Sequence, residues 1–348
     1  MRFASDNWAG ATPEVSAALA AANEGFAAAY GGDALTARVT ERFSALFERP
    51  VEVWFTATGT ASNSLALASL SRPGGLVFCS TDAHIANDEW GATEFQSGGM
   101  KLMPVDAVAG KIGPMALEAA MARAPAGGRF GAPVALSLTN ATECGTVYAP
   151  DEVTDLAGRA RARGLAVHLD GARFANAVAA SGATPAALTW RAGVDLMSFG
   201  GTKNGCWAAE AIIVFSPDKV HDLAARRQRA GQTFSKARFV AAQFDAYLSD
   251  GNWLRTADHA NGLAAQLRAG IARSNRARLG WDSTANEVFA VVRKDALAVI
   301  RAAGGFAHEW SVDGMAADRR PGADETLIRL VTSWANTADE VERLLGML

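Results

Sequence analysis

The sequence predicts an α/β fold: a parallel or mostly parallel β-sheet with helices on both faces, followed by a small C-terminal α+β domain. Three observations carry this. Over roughly the first two-thirds of the chain, short apolar runs alternate with longer helical patterns, as expected for strands buried on both faces. The texture then changes to long helices and a few strand-like runs. The 348 residues are enough for about two domains, and 49% hydrophobic with 20% charged residues is a globular composition.

In chain order, the strand-like runs are residues 51–56, 76–79, 133–138, 165–170, 194–199 and 210–215. Helical patterns at 60–70, 151–163 and 174–180 separate several of them. Long helices follow at 234–248 and 254–273, then strand-like runs at 287–292, 306–310 and 327–332, with a helical pattern between the first two. A final helix over 337–345 opens with Asp339 and Glu340, which the positive end of a helix dipole favours. The expected division is a large domain over 1–250, with residues 1–12 contributing to its site, and a small domain over 251–348.

Charge and cysteine usage narrow the partners. Lys plus Arg number 33 against 36 Asp plus Glu, a net charge of -3, so there is no basic excess to neutralise a phosphate backbone or hold a membrane surface. The expected partner is a small molecule in a local charged pocket, with no nucleic acid and no membrane. Cys79, Cys144 and Cys206 are odd in number and widely spaced, which indicates neither a disulfide framework nor a zinc site. The N-terminus meets Asp6 and Asn7 before any apolar run, unlike a signal peptide, and the alanine-rich stretch 15–22 is too short to span a bilayer. A cytoplasmic location is expected.

Common motifs are absent: there is no GxGxxG after a strand, no GxxxxGK[ST], no HExxH and no GxSxG. The histidines at 84, 168, 221, 259 and 308 have no metal-ligand spacing, so no metal is expected.

Chemistry concentrates at strand ends, where open α/β sheets bind ligands. The run Leu165-Ala-Val-His-Leu-Asp170-Gly-Ala-Arg173 takes an apolar strand into Asp170 and a turn. Asp170 facing a ligand and Asp170 capping the next helix, paired with Arg173, fit this segment equally well. A second strand runs into Gly200-Gly201-Thr202-Lys203-Asn204-Gly205, where small residues let the backbone approach a ligand closely. A lysine in such a pocket can attack a carbonyl, although an exposed loop lysine is the commoner case. At Thr58-Gly59-Thr60 a strand gives way to a helix whose free amides suit a phosphate or carboxylate; an ordinary threonine cap reads the same. His84 lies just past the strand 76–79, also at the sheet's edge. A lysine, an aspartate, a histidine, arginines and an anion-binding turn together fit pyridoxal 5'-phosphate (PLP), with the lysine as its Schiff-base partner and the aspartate on the ring nitrogen.

The ordered set resembles the low-specificity L-threonine aldolases. It runs from Ser5-Asp6-Asn7 through Tyr30-Gly31, Thr58-Gly59-Thr60, Ala83-His84, Asp170-Gly171-Ala172-Arg173 and Gly200-Gly201-Thr202-Lys203 to Ile328-Arg329-Leu330-Val331-Thr332-Ser333. The version around Lys203 is most similar to the bacterial branch that includes phenylserine aldolases. The resemblance covers nearly the whole chain. It implies the aspartate-aminotransferase-like PLP fold, with a mostly parallel seven-stranded sheet. It implies retro-aldol cleavage of L-β-hydroxy-α-amino acids (threonine, allo-threonine, phenylserine) to glycine and an aldehyde. Lys203 would carry PLP, Asp170 would pair with the ring nitrogen, and His84 would stack on the ring near the β-hydroxyl. Gly59 and Thr60 would bind the phosphate, with Arg229, Lys236 and Arg238 as further basic residues near it. Ser5, Arg173 and Arg329 would hold the substrate carboxylate. A homotetramer, built as a dimer of dimers with sites shared between subunits, is implied as well.

One departure stands out. Where some members of the family carry a second histidine, this chain reads Asn140-Ala-Thr-Glu143-Cys144-Gly145, and Glu143 takes the nearest position. The general base would be His84 or a water that it positions. The alternative function is a β-eliminating lyase or an aminotransferase of the same fold, because those enzymes use overlapping residues.

Overall fold

Strand pairing turns the apolar runs into one large sheet. The computed structural model describes residues 1–125, 128–129, 131–313 and 315–348. Its strands are β1 (Glu52–Thr56), β2 (Gly75–Ser80), β3 (Lys101–Val105), β4 (Ala107–Val108), β5 (Lys111–Ile112), β6 (Ala132–Thr139), β7 (Ala166–Gly171), β8 (Leu196–Gly200), β9 (Glu210–Val214), β10 (Ala277–Leu279), β11 (Glu287–Arg293), β12 (His308–Glu309) and β13 (Glu325–Val331). The large sheet has seven strands in the order β1-β9-β8-β7-β6-β2-β3. β9 is antiparallel to both neighbours, and the remaining pairings are parallel. This is the expected mostly parallel sheet.

The burial strings explain why the central strands read as continuous apolar runs. Every residue of β2, β7, β8 and β9 is buried, because helices cover both faces. One face carries an aromatic core of Phe43, Phe47, Phe174, Phe199, Phe215 and Phe244. The other packs Leu65 and Leu67 of helix Gly59–Ser69 against Val77, Leu196 and Ile212. Edge strand β3 was not anticipated. Its residues are mostly half-exposed and include Lys101 and Pro104, so it lacks the apolar signature of a central strand.

A second sheet, β10-β11-β13-β12, is antiparallel throughout. Helices Asn252–Ile271, Lys294–Ala302 and Ala338–Leu345 pack on it through Leu267, Leu297 and Leu344. The last of these opens on a capping box between Thr337 and Glu340. Helix Asn252–Ile271 serves both cores: Trp253 and Ala257 join the large one, and Leu263, Leu267 and Ile271 join the small one. The N-terminal segment also belongs here. Phe3 is fully buried in the small core, donates from its amide to Phe306 O at 3.1 Å and accepts from Val331 N at 2.7 Å. The segment therefore leaves the small sheet and passes directly over the edge of the large one. Among the described residues, no helix is long and apolar enough to cross a membrane.

Candidate active site

Parallel strands deliver their carboxyl ends to one edge of the large sheet, and a cavity of about 280 Å³ opens there. Its wall includes Gly59 and Thr60 after β1, His84 after β2, Asp170 and Arg173 at and after β7, and Lys203 after β8. β9 runs the other way, so its first residue, Glu210, comes to the same edge, opposite Thr56 and Gly200. Sequence reasoning missed Glu210; the signal was a carboxylate at the head of the apolar run 210–215.

Asp170 is buried, and each of its side-chain oxygens accepts one hydrogen bond. Its Oδ1 accepts from Ala172 N at 2.9 Å, and its Oδ2 accepts from Asn63 Nδ2 at 2.7 Å. The same Asn63 nitrogen donates to Glu89 Oε1 at 2.9 Å, and Asn63 Oδ1 accepts from Ser198 Oγ at 2.6 Å. Asn63 therefore ties two carboxylates together from the buried face of its helix, a role that no local sequence signal showed. Ser198 Oγ also lies 3.2 Å from His168 Nε2, and His168 Nδ1 lies 2.9 Å from Ser137 Oγ. Burial depresses the His168 pKa to about 4, which keeps it neutral beneath Asp170.

His84 reaches Glu89 through Nδ1 at 2.9 Å. That bond raises the imidazole pKa, partial burial opposes it, and Asp170 adds to the rise. Glu143 Oε1 accepts from His84 N at 2.8 Å and from Thr139 Oγ1 at 3.0 Å; its Oε2 is buried with no protein partner among the described residues. Burial pushes Glu143 up to about 7, with Asp170 adding to the effect. Glu210 is raised to about 7 in the same way, against bonds from Thr202 and the charge of Lys203.

Lys203 stands in a tight turn, Thr202–Asn204, that ends at Gly205. Thr58 caps the neighbouring helix by accepting from Ala61 N at 3.1 Å, and the first-turn amides of Gly59 and Thr60 have no intrahelical acceptor. An amine, a buried carboxylate and a helix N-terminus on one cavity match the aldehyde, ring nitrogen and phosphate of PLP.

Of the other expected residues, Arg173 lines the cavity, whereas Arg329, Ser5, Arg229, Lys236 and Arg238 do not. Arg173 donates to Asp6 through Nε at 2.8 Å and Nη2 at 3.1 Å, and it approaches Glu287 Oε1 at 3.4 Å. Arg329 stands behind it, 3.6 Å from the same Glu287 oxygen and 4.3 Å from the centre of the Trp310 ring, outside the cavity wall. Ser5 is also outside the wall; its Oγ caps the turn by accepting from Asn7 N at 3.2 Å, and Asn7 faces the cavity. Arg229 and Lys236 are exposed and do not line the cavity, while Arg238 donates to Gly25 O at 3.2 Å. Between them lies Gln232, whose Oε1 accepts from Ala57 N at 2.8 Å beside the phosphate-type turn.

Known proteins share this fold and much of this sequence. A family model described as beta-eliminating lyase matches residues 2–295. A low-specificity L-threonine aldolase of Pseudomonas aeruginosa is 42% identical over 344 residues, covering 99% of this chain and 95% of the relative. A protein of the same description from Pseudomonas sp. is 44% identical over 301 residues, 86% of each chain. The solved structure of Leishmania major threonine aldolase superposes with a TM-score of 0.91 at 26% identity, covering 99% of this chain and 97% of the other. Matched along most of its length by the family model and along nearly all of it by such relatives, the chain belongs to the beta-eliminating lyase family and, within it, to the low-specificity L-threonine aldolases.

Proposed function

We propose that the protein cleaves L-β-hydroxy-α-amino acids to glycine and an aldehyde with PLP held in the cavity. The observation that carries this is the convergence of Lys203, Asp170, His84 and the Gly59–Thr60 amides on one cavity in a chain so similar to threonine aldolases. When bound, PLP would supply the electron sink for the bond that breaks. Lys203, in its turn on the cavity wall, would be the residue that anchors the cofactor. Asp170, fixed by Asn63 and Ala172, holds the ring nitrogen, and Gly59 and Thr60 take the phosphate, with Arg229 and Lys236 as further basic residues for it. Arg173, Arg329 and Ser5 hold the substrate carboxylate, a bidentate task suited to arginine.

His84, or a water on it, removes the β-hydroxyl proton; the Cα–Cβ bond breaks, the aldehyde departs, and a proton returned to Cα completes glycine. The hydrogen bond to Glu89 fixes the ring for this step. Glu143, at neutral pH close to its own pKa, supplies a second proton-holding group on the same wall.

The proposed organisation is a PLP-binding domain over residues 1–250 and a small domain over 251–348, in a cytoplasmic homotetramer or dimer whose sites are shared. Large exposed aromatics beside the site support the assembly, notably Trp90 next to Glu89 and Trp207 after the Lys203 turn. The three cysteines, all free and buried, accord with a reducing compartment.

The test is product analysis with threonine, allo-threonine and phenylserine. Glycine plus aldehyde is expected, together with a visible absorbance of lysine-bound PLP that is absent from Lys203→Ala. Ammonia plus a keto acid would point to β-elimination or transamination instead.

A further inference from the structure

Glu287 opens β11 behind the cavity and is an unusual carboxylate. It is 0% exposed, and neither of its side-chain oxygens receives a hydrogen bond from the protein among the described residues. Its Oε1 instead lies 3.4 Å from Arg173 Nη2 and 3.6 Å from Arg329 Nη1. The neighbouring Asp6 is bonded quite differently. It takes a bidentate pair from Arg173 and a third bond, 3.0 Å long, from Asn286 Nδ2. Two guanidinium groups therefore share two carboxylates, and only one of those carboxylates is well satisfied.

The proposed function brings a third anion, the substrate carboxylate, to the same guanidinium groups. Three buried anions on two cations leave one negative charge uncompensated, which a desolvated site strongly disfavours. The nearby Lys203 is engaged by the cofactor in that reading. One carboxylate has to give up its charge. Asp6, with hydrogen bonds that favour the ionised form, is the costlier one to protonate; Glu287 has none to lose.

We propose that Glu287 takes up a proton from solvent as the substrate carboxylate binds, and releases it when glycine leaves. This rests on the assignment of Arg173 and Arg329 to that carboxylate. Glu287 is thus a positioning residue that sets the affinity for the amino acid through the charge of the arginine pair. The groups that face it are Arg173 after β7, Arg329 on β13, Asp6 from the N-terminal turn, Lys203 after β8 and the Cys144 thiol after β6. Burial already lifts its pKa above the ordinary value, against the pull of both arginines, so the site is prepared for the added proton. The linkage has a definite sign. Because the bound state favours protonated Glu287, affinity weakens as pH rises above the free-site pKa, by up to about tenfold per pH unit.

Calorimetry of the holoenzyme with 3-hydroxybutanoate tests this. The probe carries a carboxylate and a β-hydroxyl but no amine to displace Lys203. Titrations in two buffers of different ionisation enthalpy count the protons taken up. The wild type is expected to show net uptake and an affinity that falls with pH. Glu287→Gln is expected to show neither, and to bind about tenfold tighter or more than the wild type at high pH. Glu143→Gln and Glu210→Gln retain the uptake, which excludes the other two buried carboxyls of the cavity wall as its source. Binding without uptake in the wild type, or uptake that persists in Glu287→Gln, overturns the proposal. Aldehyde release from threonine is measured on the same preparation. Cleavage without uptake removes the linkage and leaves the proposed function standing, whereas loss of both cleavage and carboxylate binding removes both.

Discussion

Glu210 shows how a strand's direction sets a side chain's chemistry. Because β9 is antiparallel to its neighbours, a carboxylate at its start is carried to the edge where the other strands end, and burial there raises its pKa to about 7 from an ordinary value of 4.5. The folded state thus holds this proton more tightly than the unfolded chain does. The stabilisation is fully present below pH 4.5 and is lost as pH rises to about 7. Relative to Glu210→Gln, the cofactor-free wild type should therefore lose up to about 3 kcal/mol between pH 4.5 and 8, read from denaturant unfolding at several pH values. A comparison that does not change with pH would contradict the assignment. His84 offers a second check at this scale. Its hydrogen bond to Glu89 is the main cause of its raised pKa. In Glu89→Gln the imidazole should titrate at lower pH, as followed by NMR, and the acid limb of the activity profile should move down with it. No stability figure attaches to this half-exposed side chain, where solvent screens the pair.

Elements decide which residues can be read from sequence alone. Asp170, Lys203, His84 and the Gly59–Thr60 turn were legible because each lies at the end of an apolar strand or within four residues beyond it, and the sheet then gathers those strand ends. Asn63, Asp6 and Glu287 were not. Each is a polar residue whose partner lies far along the chain, as with Asn63 and Asp170 or Asp6 and Arg173, and nothing local marks such a pairing. Edge strand β3 and the short β10 escaped for a related reason, since neither length nor apolar pattern separates them from loops. The Lys203 turn carries the prediction at this scale. Gly205 has φ +110°, and a Cβ there would lie 2.5 Å from Thr12 Cγ2. Gly205→Ala should cost about 1–3 kcal/mol and weaken PLP binding, because relief of the clash displaces Lys203. Gly158, with open space around its Cβ position inside helix Pro150–Ala162, is the control, and alanine there should be neutral or stabilising in a thermal melt.

At the scale of the whole molecule, the N-terminal segment and the small sheet join in one device. Phe3 anchors the segment in the small core, Asp6 fixes Arg173 at the large sheet's edge, and Glu287 connects that arginine to Arg329 on β13. Each partner contributes charge to a site that the other frames. The proposed assembly extends the same logic beyond one chain. Trp90 is 101% exposed, directly after the buried Glu89 that orients His84, and Trp207 is 71% exposed just beyond Gly205. Rings of that size left in water beside a site are unfavourable, by roughly 25 cal/mol per Å² of apolar surface, unless a partner covers them. If a second copy does so, Trp90→Asp should split the assembly, because it replaces apolar area with a carboxylate that is costly to desolvate. Sedimentation velocity should then show a smaller species. Its PLP absorbance should fall in step with dissociation as the protein is diluted, since freeing the Glu89 segment loosens the wall that holds His84. An unchanged sedimentation coefficient for Trp90→Asp would place the subunit contact elsewhere, and an unchanged absorbance in a dissociated species would show that each chain holds its cofactor alone.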